Sequence, residues 1–257
     1  MQNLKISLIT TSYNSETTIS DTLSSVLFQS YSNIEYIIVD GGSSDETISI
    51  IKEYEPLFNG RLKWISEKDD GIYDAMNKGI QMASGDIVGI LNSDDLFFDS
   101  NVLEDIVQAF DSKIEAVCGN LYFVKFDDTD SIVRTWKGSP YHSFNKGWHP
   151  AHPTFYVRRS VYQKYGIFDT SFSVSADFEL MLRFIEKYRI RTKYLDRYMI
   201  KMRVGGESTR SLKNIFRGNK NIMRAFKKND IPVSVFYPVR RLFPKALDML
   251  KNKIGLT

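Results

Sequence analysis

The chain has 257 residues, 42% hydrophobic and 25% charged, the proportions of a globular protein with room for a sizeable α/β core. Its single cysteine, Cys118, excludes an intramolecular disulfide and suits a reducing compartment. No run approaches the ~20 apolar residues of a membrane span, the start Met1-Gln2-Asn3-Leu4-Lys5 lacks signal-peptide features, and a cytoplasmic location is expected.

Strands and helices alternate along the first half. Residues 5–10 are short and apolar, a buried strand, and Ile19, Leu23, Val26 and Leu27 then follow helical spacing with Ser15 or Thr17 as cap. Residues 35–39 read as a second strand, followed by a helical stripe of Ile50, Ile51, Tyr54, Leu57 and Phe58. Residues 62–66 make a third strand, Ile72, Met76, Ile80 and Ala83 another helix face, and 87–91 a fourth strand. This order predicts a mostly parallel, Rossmann-like sheet flanked by helices with right-handed crossovers.

The second half is less regular. Residues 116–126 and 131–136 read as a hairpin around Asp127-Asp128-Thr129-Asp130, and a loop with Gly138, Pro140, Gly147, Pro150 and Pro153 follows. Phe178, Met181, Leu182, Ile185 and Tyr188 form a helical stripe. From Lys213 onward 11 Lys and Arg face only Asp230 and Asp248, a net of +9 against −6 for the first 212 residues. A basic end after an acidic body points to a polyanion: membrane surface, nucleic acid or anionic substrate. Val233, Val235, Phe236, Tyr237, Leu242 and Phe243 lie among these charges, a mixture that favours an anionic membrane surface. The expected division is a catalytic domain, 1–212, and a basic helical extension, 213–257, used for membrane association or packing.

Asn92-Ser93-Asp94-Asp95 directly follows the apolar run Ile87-Val88-Gly89-Ile90-Leu91. Two adjacent carboxylates at the end of a buried strand are costly unless a cation offsets them. A hard divalent cation takes such oxygens together with substrate phosphates, at the strand ends where open α/β sheets bind ligands. A simple turn accounts for the same four residues.

Several segments together resemble family 2 glycosyltransferases of GT-A fold, in particular bacterial enzymes that build surface polysaccharides. They are Thr10-Thr11-Ser12-Tyr13-Asn14, Asp40-Gly41-Gly42-Ser43-Ser44-Asp45, Asp70-Gly71-Ile72-Tyr73-Asp74-Ala75-Met76-Asn77-Lys78-Gly79, Gly85-Asp86, Leu91-Asn92-Ser93-Asp94-Asp95 and Ala176-Asp177-Phe178-Glu179-Leu180. Each is weak alone, and the ordered set is specific over roughly the first 210 residues. The resemblance implies that Thr10, Tyr13, Asn14 and Glu16 hold the nucleotide. It implies that Asp40 reads the uracil ring, whose imide proton a carboxylate can accept, with Ser43 and Asp45 in the same loop. Ser43 and Glu46 also fit a capping box, and Asp45 suits a helix N-terminus.

Asp74, Asn77 and Lys78 fall on the nucleotide side in relatives, although Asp74 also suits the helix dipole and Lys78 a solvated surface. Asp94 and Asp95 take the place of the family's DXD motif, Asp95 as direct metal ligand and Asp94 on metal, sugar or ribose. Serine at position 93 departs from a strict Asp-x-Asp. Asp177 matches the catalytic base and would also serve as a helix N-cap. His152, and less so His149, could complete the metal shell or hold a phosphate. Arg203-Val204-Gly205-Gly206-Glu207-Ser208 resembles the segment that closes over the diphosphate.

The expected function is therefore inverting transfer of a sugar from a nucleotide-diphosphate donor, a UDP-sugar, dependent on Mn²⁺ or Mg²⁺. The implied acceptor is a saccharide carried on a polyprenyl diphosphate at the inner membrane face, as in O-antigen, capsule or exopolysaccharide assembly, with no nucleic-acid partner. The competing reading is a non-catalytic nucleotide-sugar or polyanion-binding protein. A nucleotidyltransferase would want a Gly-rich phosphate loop where Thr11-Ser12-Tyr13-Asn14 stands.

Overall fold

The computed structural model describes residues 3–205 and 212–238. Its first part is the expected alternation: β1 (Ile6–Ser12), α1 (Ile19–Leu27), β2 (Ile34–Asp40), α2 (Thr47–Tyr54), β3 (Leu62–Ser66), α3 (Ile72–Met82) and β4 (Ile87–Ile90). β1 lies between β2 and β4, β3 flanks β2, and all three pairings are parallel. Every residue of β1, β2 and β4 is buried, as befits parallel strands covered on both faces. The chain steps outward from β1 to β3 and then returns to β4 on the other side of β1. Strand order thus reverses between β1 and β4, which opens a crevice at their carboxyl ends.

Two local features bring the elements into position. Gly79 lets α3 lie against β1, since a Cβ there would meet Ile9 Cγ2 at 2.4 Å. The caps expected for α1 do not form: Thr18 occupies the N-cap position without a side-chain capping bond, and the Ser15 hydroxyl pairs with that of Ser93 at 2.8 Å instead. That bond ties the loop after β1 to the turn after β4.

The second part comprises β5 (Leu96–Phe97), α4 (Val102–Ala109), β6 (Ala116–Val124), β7 (Ile132–Trp136), β8 (Tyr156–Arg158), α5 (Arg159–Tyr165), α6 (Ala176–Leu182), β9 (Thr192–Arg203) and α7 (Leu212–Lys228). The sheet continues from β4 through β8, β6 and β9 to β5. β6 pairs parallel with β9, while β4–β8, β6–β8 and β5–β9 are antiparallel, as is the anticipated β6–β7 hairpin. The parallel pattern read from the sequence thus governs β1 to β4, and antiparallel additions make the whole sheet mixed.

β9 and α4 escaped the sequence reading. β9 carries Lys193, Asp196, Arg197, Lys201 and Arg203, which hide a sheet-interior strand beneath the look of a surface loop. The charges are matched: Arg197 pairs with Asp99 at 2.6 Å and Asp105 at 2.8 Å, and Lys201 with Asp130 at 2.7 Å.

Apolar clusters cover the two faces of the sheet. α6 passes into a π-helical turn, Arg183–Lys187, which keeps Phe178, Met181, Leu182 and Ile185 buried in one stripe. α7 joins the same core through Ile222, Ala225 and Phe226, with the Phe226 ring tilted against Phe178 at 5.8 Å and edge-on to Tyr237 at 5.0 Å between centroids. Among the described residues, Ile222 to Tyr237 thus pack into the same cluster as α6. Leu242 and Phe243 lie outside the described residues.

Candidate active site

Two loops build one side of the crevice, and they interlock. Asn14, at φ +46, accepts the Ser44 N–H at 2.9 Å on its side-chain oxygen, and its own N–H donates to the Ser43 hydroxyl at 2.8 Å. Glu16 accepts the Glu46 N–H at 3.0 Å while its N–H donates to Asp45 at 3.1 Å. A capping box of Ser43 with Glu46 is not made, because Glu16 from the other loop takes the Glu46 N–H. Asn14, Glu16, Ser43 and Asp45 thus shape the pocket wall by holding one loop against the other.

Three residues expected at the nucleotide have partners within the protein. Thr10 is fully buried, its hydroxyl donating to the Leu91 carbonyl at 2.7 Å and pairing with Tyr36 at 3.0 Å, so it clamps strands. Asp40 is also fully buried, and its carboxylate accepts from Ser12, Ser43 and Ser66 hydroxyls and from the Gly42 and Ser43 N–H groups. Five donors converge on it, so it organises the loop. Asn77 spends both ends of its amide on the Phe168 backbone at 2.9 Å, a strut from α3 to the loop before α6.

The carboxylate that does face the loop is Asp69, a residue the sequence reading passed over. A Cβ on Gly41 would meet Asp69 Oδ2 at 2.6 Å and the Tyr13 ring at 3.4 Å, so glycine at 41 lets both approach. Tyr13 is 65% exposed, an uncovered aromatic face beside that carboxylate. Next to it, Lys78 reaches Glu67 at 2.8 Å and Asp74 at 3.6 Å and donates to the Lys68 carbonyl at 3.1 Å. Asp74 and Lys78 therefore brace the loop after β3, one turn apart on a helix face adjoining that of Tyr73 and Asn77.

At the end of β4, Asp95 is fully buried, and burial together with the Asp94 charge pushes its carboxyl well above the ordinary range. Its Oδ2 accepts from Asn92 Nδ2 at 3.1 Å, whereas Asp95 Oδ1 and Asn92 Oδ1 are buried without a hydrogen-bond partner. Orphaned oxygens of this kind, beside two carboxylates, are the donor chemistry a hard divalent cation takes. The residues fit Mn²⁺ or Mg²⁺. Among the described residues, however, no three His, Cys, Asp or Glu side chains form a metal-holding group. Asp94, Asp95 and His152 therefore do not make a shared shell, and His152 belongs elsewhere in the site.

Arg203 is not a mobile cation over a diphosphate. It is 4% exposed at the end of β9, donates to the Asp94 carbonyl at 2.9 Å and to that of Phe126 at 2.9 Å, and pairs with Asp21. It holds the 92–95 turn from beneath. Residues 206–208 of its segment lie outside those described.

Asp177 lies in the first turn of α6, but the N-cap is Ser175, in the left-handed region at φ +67. The Asp177 carboxylate instead accepts a 3.0 Å bond from Tyr73 on α3. Burial and the Asp177 charge raise the Tyr73 hydroxyl well above its ordinary value, so it stays protonated and donating. Phe168 stacks on Tyr73 at 5.5 Å and meets His152 edge-on at 6.2 Å. His152 Nε2 is buried without a hydrogen-bond partner. Burial lowers the His152 pKa against the opposing pull of Asp177, so the imidazole is neutral at pH 7. His149 meets Trp136 at 5.1 Å and Phe178 at 5.5 Å, both edge-on, a packing position.

Known proteins resemble this chain in sequence and in fold. The sequence model described as glycosyl transferase family 2 matches residues 7–176, ending one residue before Asp177. An uncharacterized glycosyltransferase of Mycobacterium tuberculosis is 34% identical over 182 residues, covering 69% of this chain and 68% of that protein. The crystal structure of S. aureus TarS 1-349 in complex with UDP-GlcNAc superimposes with TM-score 0.65 at 19% identity, covering 89% of this chain and 68% of that one. The mannosyltransferase PcManGT from Pyrobaculum calidifontis, in complex with GDP-Man and Mn²⁺, gives TM-score 0.68 at 20% identity over 100% of this chain and 73% of its own. At such identities the structural likeness establishes the fold, which is GT-A.

Proposed function

The chain belongs to glycosyl transferase family 2 and is a glycosyltransferase; from that premise we propose inverting transfer of a sugar from a UDP-sugar to a hydroxyl of a saccharide acceptor. The observation that carries the reading is the buried, unpartnered Asp95 Oδ1 at the reversal point of the sheet. An orphaned buried carboxylate oxygen is costly and persists where a ligand completes it. Nucleotide-sugar complexes of TarS and PcManGT support the donor class.

In this reading Tyr13 offers its exposed ring to the base and Asp69 accepts the uracil imide proton. Asp95, with Asn92 or Asp94, would hold Mn²⁺ or Mg²⁺, which when bound neutralises charge on the departing diphosphate. Asp177 takes the proton of the acceptor hydroxyl as that oxygen bonds to the anomeric carbon and the carbon–oxygen bond to the nucleoside diphosphate breaks. Tyr73 keeps the carboxylate aimed, and neutral His152 stands beside it with a free ring nitrogen for substrate.

The acceptor is assigned to a lipid-linked saccharide of surface-polysaccharide assembly, met at an anionic membrane surface. No helix among the described residues is long and apolar enough to cross a membrane, so contact would be peripheral. The test is nucleoside-diphosphate release from a panel of nucleotide sugars by wild type and Asp177→Asn. Asparagine keeps the shape without the proton acceptor, so turnover should fall roughly 10²-fold or more with donor affinity retained. Undiminished turnover by Asp177→Asn would sink the assignment of the base.

A further inference from the structure

α7 divides into two faces of opposite character. Arg217, Lys220, Arg224, Lys227 and Lys228 are all exposed. At 3.6 residues per turn they fall within an arc of about 100° and along about 17 Å of helix. Ile222, Ala225, Phe226 and Asn229, on the opposite arc, are buried. The inner face is fixed by specific bonds as well as by packing, since Asn229 donates to Glu179 at 3.0 Å and Asn221 to the Val174 carbonyl at 2.8 Å. The basic stripe therefore has a set orientation relative to the active site.

Among the described residues, little nearby negative charge offsets it. Lys228 pairs with Asp169, and Asp230 is drawn to Lys187 at 3.7 Å. Arg224 lies over the Phe172 ring at 4.3 Å and donates to Ser171, with no carboxylate partner among the described residues. Just past the helix, Val235 is 78% and Phe236 69% exposed, although their neighbour Tyr237 is 2% exposed. Basic side chains beside exposed apolar ones match the layered chemistry of a phosphate-rich bilayer surface.

The stripe also starts beside the reaction. Gly218, one residue after Arg217, faces the start of α6 at ordinary contact distance, a Cβ there lying 3.5 Å from Ser175 Oγ, and Ser175 is two residues from Asp177. We propose that the exposed face of α7, with Val235 and Phe236, lies on an anionic phospholipid bilayer and turns the mouth beside Asp177 toward the membrane plane. The proposal rests on the lipid-linked acceptor reading above and assigns the contact to α7 itself, a helix locked into the catalytic body.

The test is sedimentation of the full chain with phosphatidylcholine vesicles and with vesicles containing phosphatidylglycerol. Donor cleavage is measured on the same samples. Wild type should bind the anionic vesicles and release as salt shortens the screening length. The triple substitution Arg217→Gln, Lys220→Gln, Lys227→Gln should lower that binding on the order of 10²-fold, and Phe236→Ser should lower it further, while donor cleavage stays at the wild-type rate and so verifies folding. Wild-type vesicle binding by the triple variant would overturn the proposal, as would equal binding to both vesicle types, binding to neither, or preference for a nucleic-acid duplex over the anionic vesicles. Absence of donor cleavage by wild type, with the vesicle pattern intact, would instead overturn the proposed function and leave the docking face supported.

Discussion

The Tyr73 hydroxyl donates a 3.0 Å hydrogen bond to Asp177 across 104 positions of sequence, tying α3 to the carboxylate assigned as base. Removing that donor with Tyr73→Phe keeps the stacked ring on Phe168 and frees the carboxylate to rotate. The expected result is a fall in kcat of about tenfold with KM for the donor nearly unchanged, since misaligned groups lose transition-state stabilisation selectively. A rise in donor KM at constant kcat would place Tyr73 in the nucleotide site instead.

Asp95→Asn should move stability and activity in opposite directions. The native carboxylate is fully buried with one oxygen unpartnered, and replacing it with a neutral amide relieves the burial of potential charge. In metal-free buffer the variant should be more stable by about 1–3 kcal/mol, and added Mn²⁺ should raise the Tm of wild type but not of the variant. An equal Mn²⁺-induced Tm rise in both proteins would remove Asp95 from the metal site.

Asp69→Ala tests the reassignment of base recognition from Asp40. Losing one hydrogen bond to a charged acceptor should weaken UDP binding roughly tenfold, with little change in folding because Asp69 is only half-buried. Titration calorimetry with UDP and CDP reads the difference, and an unchanged preference for UDP would return the role to another group.

Glu35 supplies the pH prediction. Burial opposes its charge, but hydrogen bonds from Ser7, from the Ser84 hydroxyl and N–H, and from Lys5 hold its carboxyl down at about 2, against an ordinary 4.5. The folded value is the lower one, so the ionised group favours the folded state above pH 4.5 and the benefit is lost as pH falls toward 2. Glu35→Gln should cost about 3 kcal/mol at neutral pH. Urea unfolding should show the gap from wild type closing between pH 4.5 and 2, and a constant gap across that range would refute the ionic contribution.

The alternation through residue 91 was legible because buried parallel strands are apolar and their helices carry one apolar stripe. β9 was not, since Arg197 and Lys201 are charges neutralised by distant partners, which periodicity does not register. Motif order likewise located the strand-end loops, the 92–95 turn and Asp177. It did not separate residues that face the crevice from those that build its wall. Thr10, Asp40 and Asn77 have the right types in the right places, and only their bonding shows them occupied. Asp69 carries no signal beyond being an acidic loop residue, and its importance comes from Gly41, 28 positions earlier in the sequence. The tie from Tyr73 to Asp177 had no sequence signal at all.

Phe226 and Tyr237 close the cluster that surrounds α6, and this has a consequence for how the enzyme comes into being. The nucleotide-facing strands β1 to β4 leave the ribosome first and can pair among themselves. The helix bearing Asp177 has to wait for residues 222–237, whose synthesis follows that of Asp95 by on the order of ten seconds. A chain cut short before residue 222 would therefore keep the pairing of β1 to β4 but leave the apolar side chains of α6, Phe178 among them, without the cover that Ile222, Ala225, Phe226 and Tyr237 give.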